Sequence, residues 1–331
     1  MLIASCVGCV LVGIVAGYIL RMKPWIPRTN EAPGKQIRLS DSRYPHIAPL
    51  LACDYQGKKK YSEYASLNND LQKLINARVA LGKADTVSVY FRDLTNGDWA
   101  GVNQYAQYTP ASLIKVPLMI ALFRQAEADP SLLSMKLTVE SKDDGGQVQE
   151  IPPTRTVEVG KTYTVDELVS YMIVDSDNDA TRILMKLINK KAFDDVMTDL
   201  GIDPPQGNGN DYEISPKSFS LFFRVLYNAT VLSPEMSEKA MVLLNQSDFN
   251  DGLRASIPAE IPLAHKFGEA GVRDLAGSLT GREIHDCGIA VVPKHPYAIC
   301  VMSKGKDIKA LEGVIKDVSD LVYQKVLTVK R

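Results

Sequence analysis

A serine and a lysine three residues apart, Ser112 and Lys115, lie in the apolar run TPASLIKVPLMIALF, Thr109 to Phe123. On a helix that spacing puts both side chains on one face. Pro110 and the small Ala111 place Ser112 at the helix start, where the dipole favours a developing oxyanion. An ammonium among Leu, Ile, Val and Met is expensive when unpaired, so the pKa of Lys115 should fall, and a second cation nearby would lower it further. A neutral amine beside a hydroxyl is a general base beside a nucleophile. The bland alternative is a lysine snorkelling from a helix start. The pair alone has little specificity, since Ser303 and Lys306 repeat the spacing on a polar stretch.

Two further clusters change the weight of that pair. Asp175 to Ala180 spells DSDNDA. A calcium loop is excluded there: the glycine position holds Ala180 and the twelfth position holds Lys186 instead of a glutamate. An ordinary helix N-cap fits the same residues and leaves Ser176 free to pass a proton and Asn178 to hold an amide. Lys266-Phe267-Gly268 stands on a run that looks like a strand, and a surface lysine beside a strand glycine is its plain reading.

Taken in order, S-x-x-K, S-D-N and K-x-G resemble the signature set of class A β-lactamases and penicillin-binding proteins. The gaps are 64 residues (112 to 176) and 90 residues (176 to 266). The resemblance spans about residues 66–328. It implies that Ser112 attacks a carbonyl, Lys115 takes its proton and Ser176 relays a proton to the leaving nitrogen. Asn178 would hold the substrate amide and help fix Lys115, and Lys266 would face the substrate carboxylate. The backbone N–H groups of Ser112 and Glu269 would form an oxyanion hole, where one donor is worth about 3–4 kcal/mol. Substrate would also touch the Phe267 and Gly268 positions. The chain departs from the pattern twice. Phe267 stands where the family usually has a hydroxyl, and Arg273 is the candidate to compensate. The stretch GIDPPQGNGNDYEIS, Gly201 to Ser215, carries no Glu-x-x-Leu-Asn, the setting of the glutamate that drives deacylation in class A enzymes. Asp211 and Glu213 are the nearest acids. The resemblance therefore implies a serine hydrolase that opens β-lactams slowly, or a D,D-peptidase acting on D-Ala-D-Ala cell-wall peptides, or a covalent β-lactam or muropeptide sensor.

The elements that must position these residues follow from periodicity. Leu67, Leu71, Leu74, Ile75 and Val79 mark a helix from about 66 to 81. Thr86 to Leu94 alternates as a strand, and Asn96-Gly97 turns it into a second strand near Trp99. The Ser112 helix follows, then short strands over 137–163. Thr164 to Glu167 is a capping box opening a helix to about Val174. Further helices are expected near 178–190, 191–200, 215–229 and 234–245, strands near 262–269, 284–293 and 297–303, and a closing amphipathic helix near 307–327. The simplest assembly is an α/β sandwich: about five antiparallel strands, the two terminal helices on one face and an all-helical subdomain on the other. This is the β-lactamase/transpeptidase-like arrangement.

The chain has 331 residues, 38 basic and 39 acidic, for a formal net charge of −1. No basic excess exists to neutralise phosphates, so nucleic acid is not an expected partner. The four histidines share no metal-ligand spacing, and no cofactor is expected. Residues 1–20 carry no charge and would span about 30 Å as a helix, the thickness of a bilayer core. They read as a membrane anchor (1–22), with 23–65 a tether and lead-in and 66–331 the hydrolase domain. A cleaved signal peptide is the weaker reading, because no basic residue precedes the run. Arg21, Lys23 and Arg28 follow it, and by the positive-inside rule they place the chain in the cytoplasm. Cell-wall chemistry belongs outside, and the expectation adopted is an extracytoplasmic domain. Cys287 and Cys300 fall in consecutive apolar strands as buried small residues, with a bridge between them left open.

Overall fold

The computed structural model describes residues 36–39, 41–53, 64–142, 149–206, 212–274 and 276–329. The anchor expected over 1–22 lies outside the described residues. Among the described residues no helix is long and apolar enough to cross a membrane.

The chain order is that expected. A helix, α1 (Ala65–Ala80), buries Leu67, Leu71 and Ile75 at helical spacing, each worth about 1.5–3 kcal/mol when fully covered. It leads into the hairpin β3 (Thr86–Asp93) and β4 (Trp99–Val102). The Asp93 carboxylate closes the turn by accepting from Thr95 N–H and Asn96 N–H, and Gly97 supplies its positive φ of 79°. Two short strands, β5 (Lys136–Thr138) and β6 (Thr162–Thr164), pair antiparallel with each other, and the chain returns to the sheet at β7 (Leu263–Arg273), β8 (Leu279–Ala290) and β9 (Tyr297–Gly305). The sheet order is β4-β3-β9-β8-β7, and every pair is antiparallel.

Strand alternation sorts side chains to two cores. Val87, Val89, Phe91, Ile299 and Val301 meet α1 and the last helix, α8 (Ile308–Thr328), through Leu311, Ile315, Val318 and Val322. Ala264, Cys287, Cys300 and Met302 meet the helical layer. That layer holds α2 (Lys115–Ala128), α3 (Val165–Ile173), α4 (Asn178–Met185), α5 (Lys190–Thr198), α6 (Pro216–Tyr227) and α7 (Pro234–Asn245). All of them except α2 start on side-chain caps: Thr164 with Glu167 in a reciprocal capping box, Asp177, Asn189, Ser215 and Ser233. The expected sandwich is thus the observed one.

One feature differs from expectation, and another decides what the sequence left open. Gln36–Arg38 (β1) and Leu50–Cys53 (β2) pair antiparallel where an irregular lead-in was expected. Arg38 donates to Ala48 O, Asn228 Oδ1 and Leu94 O, and Ala48 N–H donates to Tyr227 O, so this ribbon is docked on the end of α6. Cys287 and Cys300 stand directly opposite on β8 and β9 and are joined by a disulfide.

Candidate active site

The Ser112 helix does not begin as an α-helix. Ala111–Ile114 forms a 3-10 turn and Lys115 opens α2. Ala111 has φ of 50°, a left-handed value that persists only where its surroundings enforce it. Part of that enforcement comes from Gly268 on β7. A Cβ built there would lie 2.8 Å from Pro110 O, 2.9 Å from Leu113 N and 3.1 Å from Ser112 N. Only glycine lets the turn press so closely on the strand. Ser112 is partly exposed at the rim, whereas Lys115 beneath it is buried.

The second cluster arrives from the helical layer. Asp177 caps α4 by accepting from Asp179 N–H and Ala180 N–H through one oxygen, and its other oxygen accepts from Val157 N–H. The preceding Ser176 has φ of 59°, again left-handed, which turns its hydroxyl and its carbonyl inward. Lys115 Nζ lies 2.6 Å from Ser176 O, 2.8 Å from Asn178 Oδ1 and 3.2 Å from Ser176 Oγ. Lys266 Nζ comes from β7 and lies 2.8 Å from the same Oγ and 3.2 Å from Phe267 O. Two amines therefore meet on one hydroxyl.

Burial lowers both amines, and at Lys115 the charge of Lys266 adds to it. Burial holds the Lys115 amine well below its ordinary pKa, the Lys266 charge adds to that, and Asp177 opposes it. Burial pulls Lys266 down to about 7, against the carboxylates of Asp248 and Asp286. A neutral lysine has two N–H donors and one lone pair. Ser176 O and Asn178 Oδ1 only accept, so in that neutral form Lys115 would give both its donors to them. The lone pair is left for a hydroxyl proton. A charged Lys266 keeps one N–H beyond its two contacts, enough for an anionic substrate group.

The residues singled out from the sequence do not all meet here. The side chains of Lys115, Ser176, Asn178 and Lys266 converge, and Gly268 brings the Ser112 backbone against the strand that carries Lys266. The Phe267 side chain turns to the other face of the strand and stacks on Phe249, ring centroids 4.3 Å apart, as strand alternation after Lys266 requires. Arg273 is five residues beyond Gly268, roughly 16 Å along an extended strand. Its guanidinium donates to Gly277 O in the β7–β8 turn. Strand β7 runs on past Glu269, where the sequence pattern ended it. Glu213 lines a cavity of about 500 Å³ with Thr86, Tyr108, Glu283 and Lys304, and none of the converging residues lines it. Asp211 lies outside the described residues.

Other contacts at the site had no motif to announce them. The segment from Glu150 to Val157 crosses from the sheet to the helical layer. Glu150 pairs with Arg282, and Ile151 N–H donates to Glu269 Oε1 at 3.0 Å. Thr154 N–H donates to Asp248, and Arg155 grips Asp175 at 2.9 and 2.7 Å. Burial raises the Glu269 pKa, the Ile151 N–H opposes that, and Glu150 adds to it. Among the described residues no group of three or more His, Cys, Asp or Glu side chains is placed to hold a metal ion.

With this geometry in view, comparison with known proteins is direct. A model of the β-lactamase enzyme family matches residues 66–326, most of the chain. The chain belongs to this family. The solved structures similar to this family member include class A β-lactamases and PBP-A. A mutant of PBP-A, in an acyl-enzyme complex with penicillin G, superposes with a TM-score of 0.64 at 22% identity, covering 80% of this chain and 98% of that one. The β-lactamase of Sphaerobacter thermophilus gives 0.65 at 23% identity, covering 79% and 97%. The extended-spectrum β-lactamase TLA-3 gives 0.66 at 17% identity, covering 79% and 100%. Identities this low establish a shared fold and leave each protein's chemistry its own. No curated protein sequence matches the chain.

Proposed function

We propose that the protein is a penicillin-binding serine hydrolase that forms a long-lived acyl-enzyme on Ser112. One observation carries the reading: the amines of Lys115 and Lys266 converge on the Ser176 hydroxyl beside the turn that holds Ser112. In the first step the Ser112 Oγ attacks the carbonyl carbon of a β-lactam or an acyl-D-Ala peptide, and the Oγ proton passes to the neutral Lys115 Nζ. The Ser112 and Glu269 N–H groups receive the oxyanion. The C–N bond then breaks, and the nitrogen takes a proton through Ser176, whose hydroxyl is in contact with both lysines. Asn178 holds the acyl amide while its Oδ1 steadies Lys115, and Lys266 faces the carboxylate. Phe267 supplies no hydroxyl to that carboxylate.

Hydrolysis of the ester needs a base that activates water. The Gly201 to Ser215 stretch has no Glu-x-x-Leu-Asn, and Glu213 points into a separate cavity. Slow deacylation favours a second reading within the family, a D,D-peptidase whose natural substrate is a cell-wall peptide and which β-lactams block. Penicillin G held as an acyl-enzyme on a PBP-A mutant supports the same reading. A covalent sensor of β-lactams or muropeptides is the reading of another class. Residues 1–20 would tether the domain to a membrane, with the site on its outer side; labelling of intact cells by an impermeant reagent tests that placement.

The deciding experiment treats the protein with benzylpenicillin and a chromogenic cephalosporin, and follows intact mass and colour. The expected result is a one-to-one adduct that persists for many minutes, is absent from Ser112→Ala, and forms about a thousandfold more slowly in Lys115→Ala, the usual scale for a lost general base. Fast turnover with no lasting adduct identifies an efficient β-lactamase instead. Release of D-alanine from a cell-wall peptide separates peptidase from sensor. An absence of both adduct and turnover removes every acylation reading.

A further inference from the structure

Gly268 alone does not hold the turn before Ser112. One row of the sheet lies under it. Gly268 of β7, His285 of β8, Met302 of β9 and Ser88 of β3 stand opposite one another in register. They share the face toward the helical layer. Gly268 meets Pro110, Ser112 and Leu113, as described. His285, next in the row, is fully buried and reaches the same turn from below.

Both ring nitrogens of His285 have partners that fix their roles. Ser303 N–H faces Nδ1 at 3.4 Å. A main-chain N–H can only donate, so Nδ1 carries the lone pair and the ring proton sits on Nε2. Nε2 lies 2.9 Å from Thr109 O and donates to it. Glu283 Oε2 is farther away at 3.6 Å. The ring also meets Tyr108 edge-on, with centroids 5.4 Å apart. Tyr108 is tied in turn to the loop before α6, through paired main-chain hydrogen bonds with Ile214. Thr109 O is thus held from the sheet two residues before the left-handed Ala111 and three before the nucleophile.

We propose that His285 is a positioning residue for acyl transfer. By clamping Thr109 O it fixes, together with Gly268, the height of the Ser112 turn over β7. The Ser112 and Glu269 N–H groups then converge on one oxygen. This rests on the reading that Ser112 is acylated. His285 touches neither substrate nor the reacting atoms, so its effect falls on the step in which the oxyanion forms and leaves ground-state binding largely alone. A displacement of about 1 Å in such a constellation can cost on the order of a hundredfold in rate.

The test uses the full chain and three variants, H285L, H285Q and H285N. Glutamine can carry an N–H to Thr109 O; leucine cannot donate, and asparagine is too short to reach. Benzylpenicillin gives the limiting acylation rate and the half-saturating concentration. Phenylboronic acid adds reversibly to a serine hydroxyl and places an oxygen in the hole, so its dissociation constant reports oxyanion geometry without deacylation. Thermal midpoints report folding. The expected result is a limiting rate reduced about 10- to 100-fold in H285L and H285N. Half-saturation should stay within about threefold, and the boronate constant should weaken in step with the rate. H285Q should acylate within about threefold of the parent. If H285L does not fold, the contrast between H285N and H285Q decides. Near-parent rates in H285N, or an H285Q as slow as H285N, overturn the proposal while the adduct on the parent keeps the acylation reading intact. A parent that forms no adduct overturns both.

Discussion

Two lysines share the Ser176 hydroxyl, and the proposed reaction asks opposite charges of them. Lys115 must be neutral to take a proton, which rising pH favours. Lys266 must be cationic to hold a carboxylate, and it loses that charge as pH rises through about 7. Acylation by a carboxylate-bearing β-lactam should therefore fall on the alkaline side of about pH 7. Arginine stays charged throughout this range. In Lys266→Arg the alkaline fall should move beyond the measurable range, at some cost in maximal rate. A pH profile of the acylation rate constant checks this, and an unmoved alkaline limb in the arginine variant refutes the role of Lys266. At this scale the sequence was legible where chemistry is local. Ser112 and Lys115 are one turn apart, and S-D-N places a hydroxyl and an amide on a single helix start. It was illegible where contacts are long-range. Asp248, the Ile151 N–H and His285 reach the site through packing of distant segments, and no spacing records that. Phe267 and Arg273 show a further limit. Which way a strand residue faces, and how far the strand runs, depend on register with β8.

At the scale of elements, the site depends on β7 lying hard against the 3-10 turn of Ser112. The periodic elements were legible because their burial is periodic: Leu67, Leu71 and Ile75 mark α1, and Thr164 with Glu167 marks α3. The 3-10 start was not, since Ala111 takes a left-handed φ that its own residue type does not favour. The close approach gives a sharp expectation for Gly268→Ala. The new methyl would meet backbone atoms at 2.8 and 2.9 Å, and backbone cannot rotate away. The turn must lift, with a stability loss of about 1–3 kcal/mol and an acylation rate at least about tenfold lower. Denaturant unfolding and adduct mass together check it, and a variant that keeps both values near the parent's contradicts the close contact. The disulfide is a second device of this scale. It closes a short loop, 13 residues in sequence separation, between strands β8 and β9. Loop-closure entropy assigns such a link about 3 kcal/mol, and less where strand pairing already restrains the ends. The Cys287→Ala, Cys300→Ala double variant should unfold at lower urea than the oxidised parent and match the reduced parent. Equal midpoints for the oxidised and reduced parent would mean the link adds nothing.

At the scale of the whole molecule, the site sits where the sheet meets the helical layer, and two lysine amines are buried in that seam. This makes catalytic readiness a burden on the fold, with a definite sign. An unfolded lysine holds its proton to about pH 10.4, whereas folded Lys266 releases it near 7. Between those values the unfolded chain binds the extra proton. Stability contributed through this group therefore rises with pH across the window from about 7 to 10 and is at its lowest below 7. Lys115 is lowered as well and acts in the same direction. Replacing Lys266 by methionine removes the buried charge while keeping most of the volume, and breaks only the hydrogen bonds to Ser176 and Phe267 O. Lys266→Met should therefore be more stable than the parent below pH 7, by on the order of a few kcal/mol. The advantage should shrink steadily as pH approaches 10, because releasing the lysine's proton on folding costs less as pH nears the value at which the unfolded lysine loses it as well. Urea unfolding of both proteins between pH 6 and 10 measures the difference directly. Apart from Lys115, whose amine feels the charge of Lys266, other titrating groups are common to the two proteins and cancel to first order. A stability difference that stays constant with pH would show that Lys266 keeps its proton throughout, and the carboxylate-binding cation would then need no tuning by burial. A difference that narrows with rising pH would tie the two properties together: the same desolvation that weakens the fold at neutral pH sets Lys266 at the edge of its charged range.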